Sequence, residues 1–233
     1  DSKYNAHGDI TRLPNGNLML VYGKGVIHGL YHDIVAKTSA DNGTTWSGEQ
    51  LIYHTDSFYI GNVGGISVIG QDVFVTIDLY DLNGNDIPDG FGLVKSSDNG
   101  QTWGGLIRPD NSFSKSRGAS RVVPADVSSL LVTFYGYNAG DNYSSVHSMN
   151  SVNGGLAWGD ERLVADGEVD KIAYTETGLV PQNDRLLVLI RDDNTQTYTW
   201  KTISQDGGFT WSPVSVAFEG TGRPTVSRLP DGS

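Results

Sequence analysis

The sequence has no cysteine among its 233 residues and only two methionines. The lack of cysteine excludes disulfide bonds and thiolate metal sites, but it does not indicate a compartment, since a well-packed all-β core needs no crosslinks. Basic residues are also scarce, because 16 Lys and Arg stand against 27 Asp and Glu and give a formal net charge of −11. Without a Lys/Arg cluster, the sequence predicts neither nucleic-acid binding nor attachment to an anionic membrane surface.

Long apolar runs are missing as well. No stretch approaches the eighteen or so residues of a membrane span, and no secretory signal pattern is present. The sequence is instead rich in glycine (30) and tyrosine (11), with five tryptophans. This composition is typical of many short strands joined by tight turns.

One octet of residues recurs four times and organises the chain. Its central Asp-Asn-Gly or Asp-Gly-Gly favours a tight turn, because Gly adopts positive φ and Asp accepts hydrogen bonds from nearby amides. Its final Trp offers a large apolar side chain to pack between neighbouring repeats. Successive copies start 57, 55 and 53 positions apart, which predicts one supersecondary unit copied within a single domain, residues 1–233. The octets are Ser39–Trp46, Ser96–Trp103, the degenerate Ser151–Trp158, and Ser204–Trp211.

Each repeat is predicted to contain four strands. This prediction rests on stretches of alternating apolar and polar residues, and on continuous apolar runs, that are joined by turn residues. The segment from Arg223 to Ser233 repeats the pattern of residues 7–17, so we expect it to begin a fifth repeat, completed by a longer chain or by an assembly. The expected strands include 7–13, 18–22, 33–38 and 50–53 in the first repeat, 64–69, 73–79, 92–95 and 106–107 in the second, and the apolar strands 130–135 and 186–190 in the third and fourth.

The octet resembles the Asp-box, S-x-D-x-G-x-T-W, also called the BNR repeat, of sialidase-like β-propellers. The resemblance implies an all-β propeller of four-stranded antiparallel blades, with four complete units and the start of a fifth. It also implies that each octet joins the two outer strands of a blade and carries no chemistry. Sialidases of this resemblance have six blades, and some phage receptor-binding propellers have five.

In a propeller the first strand of each blade lines the central channel, and ligands bind at its mouth. Aligning the repeats on their turns gives one set of equivalent residues and a second set two positions along, on the same face by strand alternation. Such a polar ring either pairs internally and stiffens the channel or binds a ligand. The first set is His7, Val63, Arg117, Tyr174 and Arg223, and the second is Asp9, Gly65, Ala119, Glu176 and Thr225.

Glu176 and Arg191 match a second feature of the sialidases, in which an active-site Glu is followed fifteen residues later by an Arg. The resemblance implies that Glu176 orients a Tyr nucleophile and that Arg191 grips a substrate carboxylate, for which a planar guanidinium is well suited. The remaining set is incomplete. Ala6-His7-Gly8 replaces the opening Arg-Ile-Pro, Asp33 begins a strand where the acid/base Asp is expected, and the nucleophile belongs to later blades.

The loop from Asp81 to Asp89 resembles the short calcium loops D-x-D-G-D-G-x-x-D, in which alternate oxygens face the cation. Its sixth position is Asp86 instead of Gly, and its twelfth, Gly92, offers no carboxylate. A solvated Asn/Gly/Asp turn is the alternative. The predicted calcium ligands are Asp81, Asn83, Asn85 and Asp89, with the carbonyl of Ile87.

Together these features predict glycan recognition by an incomplete sialidase-like propeller, within an extracellular or virion-associated protein such as a phage tail receptor-binding protein. Exposed aromatics could stack on sugar rings or could cover the core. The alternatives are a sialidase-type exo-glycoside hydrolase and a structural platform in a homo-oligomer. The aromatics are Tyr135, Tyr137, Tyr143 and Trp200.

Overall fold

The computed structural model describes residues 4–27, 29–80 and 90–227. These residues form two compact units, one up to Arg108 and one from Pro109. Antiparallel sheet makes up nearly all the regular structure, and the described ranges contain a single four-residue helix, Gly167–Asp170 (α1). The prediction of an all-β chain is therefore confirmed, whereas a single domain over residues 1–233 stays a prediction. Within these ranges no helix is long and apolar enough to cross a bilayer.

The N-terminal unit contains one antiparallel sheet in the order β1-β2-β3-β5-β6-β7, with β4 paired to β3. One bridge, between Tyr31 and Ile60, joins the strands of the first repeat to those of the second. The strands are β1 (Tyr4–Arg12), β2 (Leu18–Ile27), β3 (Leu30–Ser39), β4 (Gln50–His54), β5 (Tyr59–Ile69), β6 (Asp72–Tyr80) and β7 (Gly90–Ser96).

The predicted fourth strand of the second repeat is reduced to one bridge, between Ile107 and Leu93. Gly104 and Gly105 precede it and Pro109 follows. Glycine weakens strand pairing and proline lacks the amide for a further ladder bond, which accounts for the short contact.

The C-terminal unit contains two antiparallel sheets. The third repeat has the order β12-β11-β10-β8 with β9 also paired to β10, and the fourth has the order β13-β14-β15-β16. Residues 221–227, where the fifth repeat is predicted to begin, form no strand. The strands are β8 (Lys115–Arg117), β9 (Val123–Pro124), β10 (Leu130–Tyr137), β11 (Ser145–Ser151), β12 (Gly159–Ala165), β13 (Tyr174–Gln182), β14 (Arg185–Asp192), β15 (Tyr198–Ser204) and β16 (Ser215–Glu219).

Each octet starts at the last residue of a third strand and makes the same turn. The hydroxyl of its Ser accepts a hydrogen bond from the backbone N–H of the Gly four residues later, at 2.8–2.9 Å in all four copies. In the three copies with Asp, the carboxylate accepts from the Thr hydroxyl at 2.5–2.6 Å. In the degenerate copy Asn153 accepts from the N–H of Ala157 at 2.9 Å. The octet therefore forms this turn through hydrogen bonds between its own residues.

The two units have separate cores made from the buried faces of their sheets. Val21, Ile34 and Val75 belong to the N-terminal core, whereas Leu131 and Val188 belong to the C-terminal core. Burying each such side chain contributes about 1.5–3 kcal/mol.

Several first strands are bulged before they enter regular pairing. Register shifts fall between Ala6 and Asp9 in β1 and between Tyr174 and Thr177 in β13. β5 has shifts from Ile60 to Gly65. A bulge turns side chains away from simple alternation and is common next to functional sites. In β13 the bulge contains Glu176.

Candidate functional site

In all four repeats the second strand pairs in the same register with the third strand, whose last residue begins the octet. The first Ser of each octet pairs with the first apolar residue of the second strand: Leu18, Val73, Leu130 or Leu186. Five residues along, toward the other end of the strand, the equivalent positions carry four different side chains. They are Gly23, Asp78, Tyr135 and Arg191.

Glu176 and Arg191, the two residues of the fifteen-residue spacing, form an ion pair with each other. Arg191 donates from Nη1 to Oε2 of Glu176 at 2.6 Å. The side chains are 15% exposed for Glu176 and 31% for Arg191. The pair is thus partly shielded, which strengthens it, yet it remains open to a ligand.

Arg191 has a second carboxylate neighbour, which the sequence analysis missed. Its Nη2 lies 2.7 Å from Oδ1 of Asp193, a side chain that is 42% exposed. Burial acts to lower the pKa of Arg191, but the hydrogen bond and charge of Glu176, followed by the charge of Asp193, raise it above its ordinary value. Arg191 therefore stays a fixed cation between two anions.

The turn after β14 holds Asp193 in place. The backbone N–H of Asp193 donates to the carbonyl of Ala173 at 3.0 Å. Oδ1 of the neighbouring Asp192 accepts from the N–H groups of Asn194 and Thr195, at 3.1 and 2.9 Å. Burial acts to raise the pKa of Asp192, but these bonds and that of the Thr195 hydroxyl lower it overall. The carboxylate of Asp192 thus stabilises the turn, whereas the exposed carboxylate of Asp193 can also contact a ligand.

Arg117 and Tyr135 lie beside this ion pair. They face each other in the register of β8 and β10. Gly118 shows their closeness to Glu176, because a Cβ built on it would lie 2.6 Å from the Tyr135 ring and 3.5 Å from the Cα of Glu176. The structure therefore brings the predicted residues Arg117, Glu176 and Arg191 to one region of the C-terminal unit.

Tyr174 lies in the core although it was predicted to contact ligand. Its side chain is 1% exposed, and its hydroxyl donates to Asp170 at 3.0 Å. Burial, followed by the hydrogen bond and charge of Asp170, raises its pKa well above the ordinary value. The bulge interrupts the alternation that put Tyr174 and Glu176 on one face. Trp200 packs against Tyr174, with ring centroids 6.3 Å apart, and so covers the core.

Arg223 lies half-buried in the segment that follows β16. This segment runs beside β13, since a Cβ on Gly178 would be 2.9 Å from the carbonyl of Pro224. Gly178 is two residues beyond Glu176 in β13. Arg223, which directly precedes Pro224, therefore lies close to the strand that carries Glu176.

His7 and Asp9 belong to the N-terminal unit and make structural contacts there. His7 Nδ1 lies 3.1 Å from the hydroxyl of the buried Tyr31. Asp9 accepts through Oδ2 from the N–H of Ile66 at 2.9 Å, which links β1 to β5. Asp33 lies inside β3 and pairs with His54 at 2.6 Å. Binding roles for His7 and Asp9 stay predictions.

The predicted calcium ligands Asp81, Asn83, Asn85 and Asp89 lie outside the described residues. Within the ranges that the structure describes, no cluster of three or more His, Asp or Glu side chains could hold a metal ion.

Two clefts lie away from these side chains. One of about 450 Å³ is lined by Tyr22, Lys37 and Trp46, among others. Another of about 370 Å³ lies at the turn that joins β13 to β14. None of the predicted site residues lines either of these two clefts.

No protein-family model and no curated protein sequence matches this chain. Several solved structures, in contrast, are similar to this chain. A protein of unknown function from Dyadobacter fermentans DSM 18053 superposes with a TM-score of 0.81 at 18% identity, over 98% of this chain and 73% of that one.

Two glycosidases are also similar. Trypanosoma rangeli sialidase, solved with sialic acid, gives a TM-score of 0.68 at 16% identity over 91% of this chain. An α-L-arabinofuranosidase from Lactobacillus brevis gives 0.70 at 11% identity, over 98% of this chain and 81% of that enzyme. This chain spans only 37% of the length of the sialidase. At these identities the likeness shows the fold alone, and that fold is the one of the sialidase-like β-propellers.

Proposed function

We propose that this chain is a glycan-binding module whose binding surface is the region of the C-terminal unit around Glu176 and Arg191. The observation that carries the proposal is their ion pair at 2.6 Å, held at a bulged strand end and still partly exposed. Two sets of solved glycosidases share the fold, which makes a sugar the first ligand to consider.

The chemistry of the region suits sugar hydroxyls, which both donate and accept hydrogen bonds. The carboxylates of Glu176 and Asp193 accept hydrogen bonds, and the guanidinium of Arg191 and a Tyr hydroxyl donate them.

The octets act in this proposal as Asp-boxes, and the four repeats as blades, with a fifth blade beginning near Arg223. The identical octet hydrogen bonds support this interpretation. Under it, Arg117 and Arg223 join Arg191 as candidate contacts, while the octets contribute only stability. An extracellular or virion-associated location stays a prediction.

A sialidase-type glycoside hydrolase is the second candidate. The similar structures include a sialidase and an arabinofuranosidase, which favours it. Hydrolysis needs a positioned acid and a nucleophile or base. Glu176 is the residue here that could serve as one of them, with Arg191 fixing the position of its carboxylate.

The first test is binding of the protein to a glycan array, followed by calorimetry on the best ligand. We expect Arg191→Ala to weaken binding at least about tenfold, since it removes charge-assisted hydrogen bonds. Arg185→Ala is the matched control, because Arg185 is on the same strand and its ion pair with Asp184 is long, at 4.0 Å. The Arg185→Ala variant should bind the glycan like the native protein. If Arg191→Ala binds as well as the control variant, the site is elsewhere.

Turnover of fluorogenic glycosides separates the two candidates. Release that is lost in Glu176→Gln would establish the hydrolase. Binding without release would support the glycan-binding module. Neither binding nor release would favour a structural platform.

A further inference from the structure

The guanidinium of Arg191 is already shared by two carboxylates. Nη1 donates to Glu176 at 2.6 Å and Nη2 lies 2.7 Å from Asp193. Nε is buried. Recognition of a ligand carboxylate by arginine depends on two parallel N–H groups facing the ligand. In this arrangement each Nη group already faces a different protein carboxylate, so a ligand carboxylate would have to compete with Glu176 and Asp193 for the guanidinium.

The local charge also opposes an anion. One cation and two carboxylates give this trio a net charge of −1, within a chain of net charge −11. A third carboxylate on a ligand would be repelled by Glu176 and Asp193 at close range. Arg117 adds one positive charge nearby, which the buried Asp192 adjoining Arg191 offsets, and Arg223 lies in the segment beside β13. Glu176 and Asp193 are nevertheless the charged groups in direct contact with the guanidinium.

The trio does offer acceptors to a neutral ligand. Oε1 of Glu176 and Oδ2 of Asp193 make no hydrogen bond with any described residue. A carboxylate oxygen accepts readily from a hydroxyl, and such charge-assisted bonds are among the stronger ones in proteins.

Resting on the proposed function, we infer that the ligand is a neutral, hydroxyl-rich sugar and not an acidic one, and that Asp193 sets this specificity. Asp193 does so by occupying Nη2 of Arg191 and by presenting its second oxygen to a sugar hydroxyl.

The test measures the affinity of the native protein for matched ligand pairs: neutral hexose and pentose oligosaccharides beside the same glycans carrying a uronic or sialic acid. We expect the neutral member of a pair to bind at least about tenfold tighter. Tighter binding of the acidic member would overturn the inference and leave the proposed function standing. Binding of neither class would refute the proposed function itself.

Asp193→Asn tests the role of Asp193 directly. It should free Nη2 of Arg191 and remove one negative charge, so affinity for the acidic ligand should rise at least about fivefold while affinity for the neutral one falls. Asp184→Asn is the matched control, because it makes the same charge change at a side chain that is 92% exposed in the turn at the other end of β14. Equal ligand preference in the two variants would overturn the inference.

Salt dependence gives a measurement that needs no variant. Neutral-sugar binding should change less than about twofold between 50 and 500 mM NaCl, whereas binding of an anion through arginine weakens as salt screens it. A steep loss of affinity for the best ligand would contradict the inference.

Discussion

The two ends of the repeated sheets differ in how faithfully they are copied. At the octet end, all four repeats make the same Ser-to-Gly hydrogen bond, within 0.1 Å. At the other end, the equivalent second-strand positions hold Gly23, Asp78, Tyr135 and Arg191. The octet end is determined by bonds inside eight residues, so any copy that keeps those residues keeps the turn. The other end depends on single side chains and their neighbours, so it is free to diverge.

Gly23 and Arg191 illustrate this divergence. A Cβ at Gly23 would lie 2.5 Å from the ring of Tyr31, so this position is given to packing an aromatic side chain. At Arg191 the same position presents a cation to two carboxylates. The octet end of the sheets is therefore uniform, whereas the other end serves packing at Gly23 and carries the proposed binding surface at Arg191.

The largest effect that sharpens this comparison is expected from Gly208→Ala in the fourth octet. Gly208 has φ +91°, and a Cβ would lie 2.2 Å from Cδ1 of the fully buried Leu131. Strain and overpacking together should cost about 2–5 kcal/mol of unfolding free energy. Gly43→Ala at the equivalent position has φ +89° but nothing closer than 3.7 Å, so it should cost about 1–3 kcal/mol less. Urea denaturation of both variants measures the difference, and equal losses would show that packing between repeats does not matter here.

A smaller loss is expected from Ser204→Ala. The backbone N–H of Gly208 donates to Ser204 Oγ at 2.8 Å, and Ser204 is 1% exposed. Removing the acceptor leaves a buried donor unsatisfied, at a cost of about 1–3 kcal/mol. Ser128→Ala at an exposed hydroxyl should cost less than about 0.5 kcal/mol. Thermal unfolding compares the two, and glycan binding should be unchanged in both. Altered binding in Ser204→Ala would break the separation between the two ends.

The smallest effect concerns pH. Hydrogen bonds from the Thr hydroxyls, then from backbone amides and Ser, lower the pKa of Asp41 and Asp98 from 3.8 to about 2. A carboxyl whose pKa is lower in the folded state stabilises the fold fully above its unfolded pKa, and this contribution is lost as pH falls toward the folded pKa. Stability should therefore decline between about pH 4 and pH 2.

Asp98→Asn should flatten that decline, because one such carboxyl no longer titrates. Asn153 already plays this part in the third octet and adds no pH dependence of its own. Denaturation midpoints at pH 7, 4 and 3 would show the flattening, and an unchanged slope would mean that other groups dominate acid unfolding.

The sequence predicted the strands and turns well where the signals are local. The apolar runs 18–22 and 186–190 lie inside β2 and β14, and every octet begins at the end of a third strand. The fifteen-residue spacing singled out Glu176 and Arg191, which the structure shows in contact, while the roles that the resemblance implies for them stay predictions. Strand alternation, which put Tyr174 on the same face as Glu176, does not hold in β13, because the bulge breaks the alternation and turns the Tyr174 ring into the core. Bulges leave no simple signal in residue type.

The sequence by itself thus determined the all-β class, the repeat and its turns, because these follow from residue periodicity and from hydrogen bonds within eight residues. Only the tertiary structure decided which side chains meet. It placed Asp193 against Arg191 through the backbone bond from Asp193 to Ala173, and it brought Gly118 close to Tyr135 and to Glu176. The bond to Ala173 and the approach of Gly118 to Glu176 join segments that are far apart in sequence, so they depend on sheet register and bulges that no local pattern encodes.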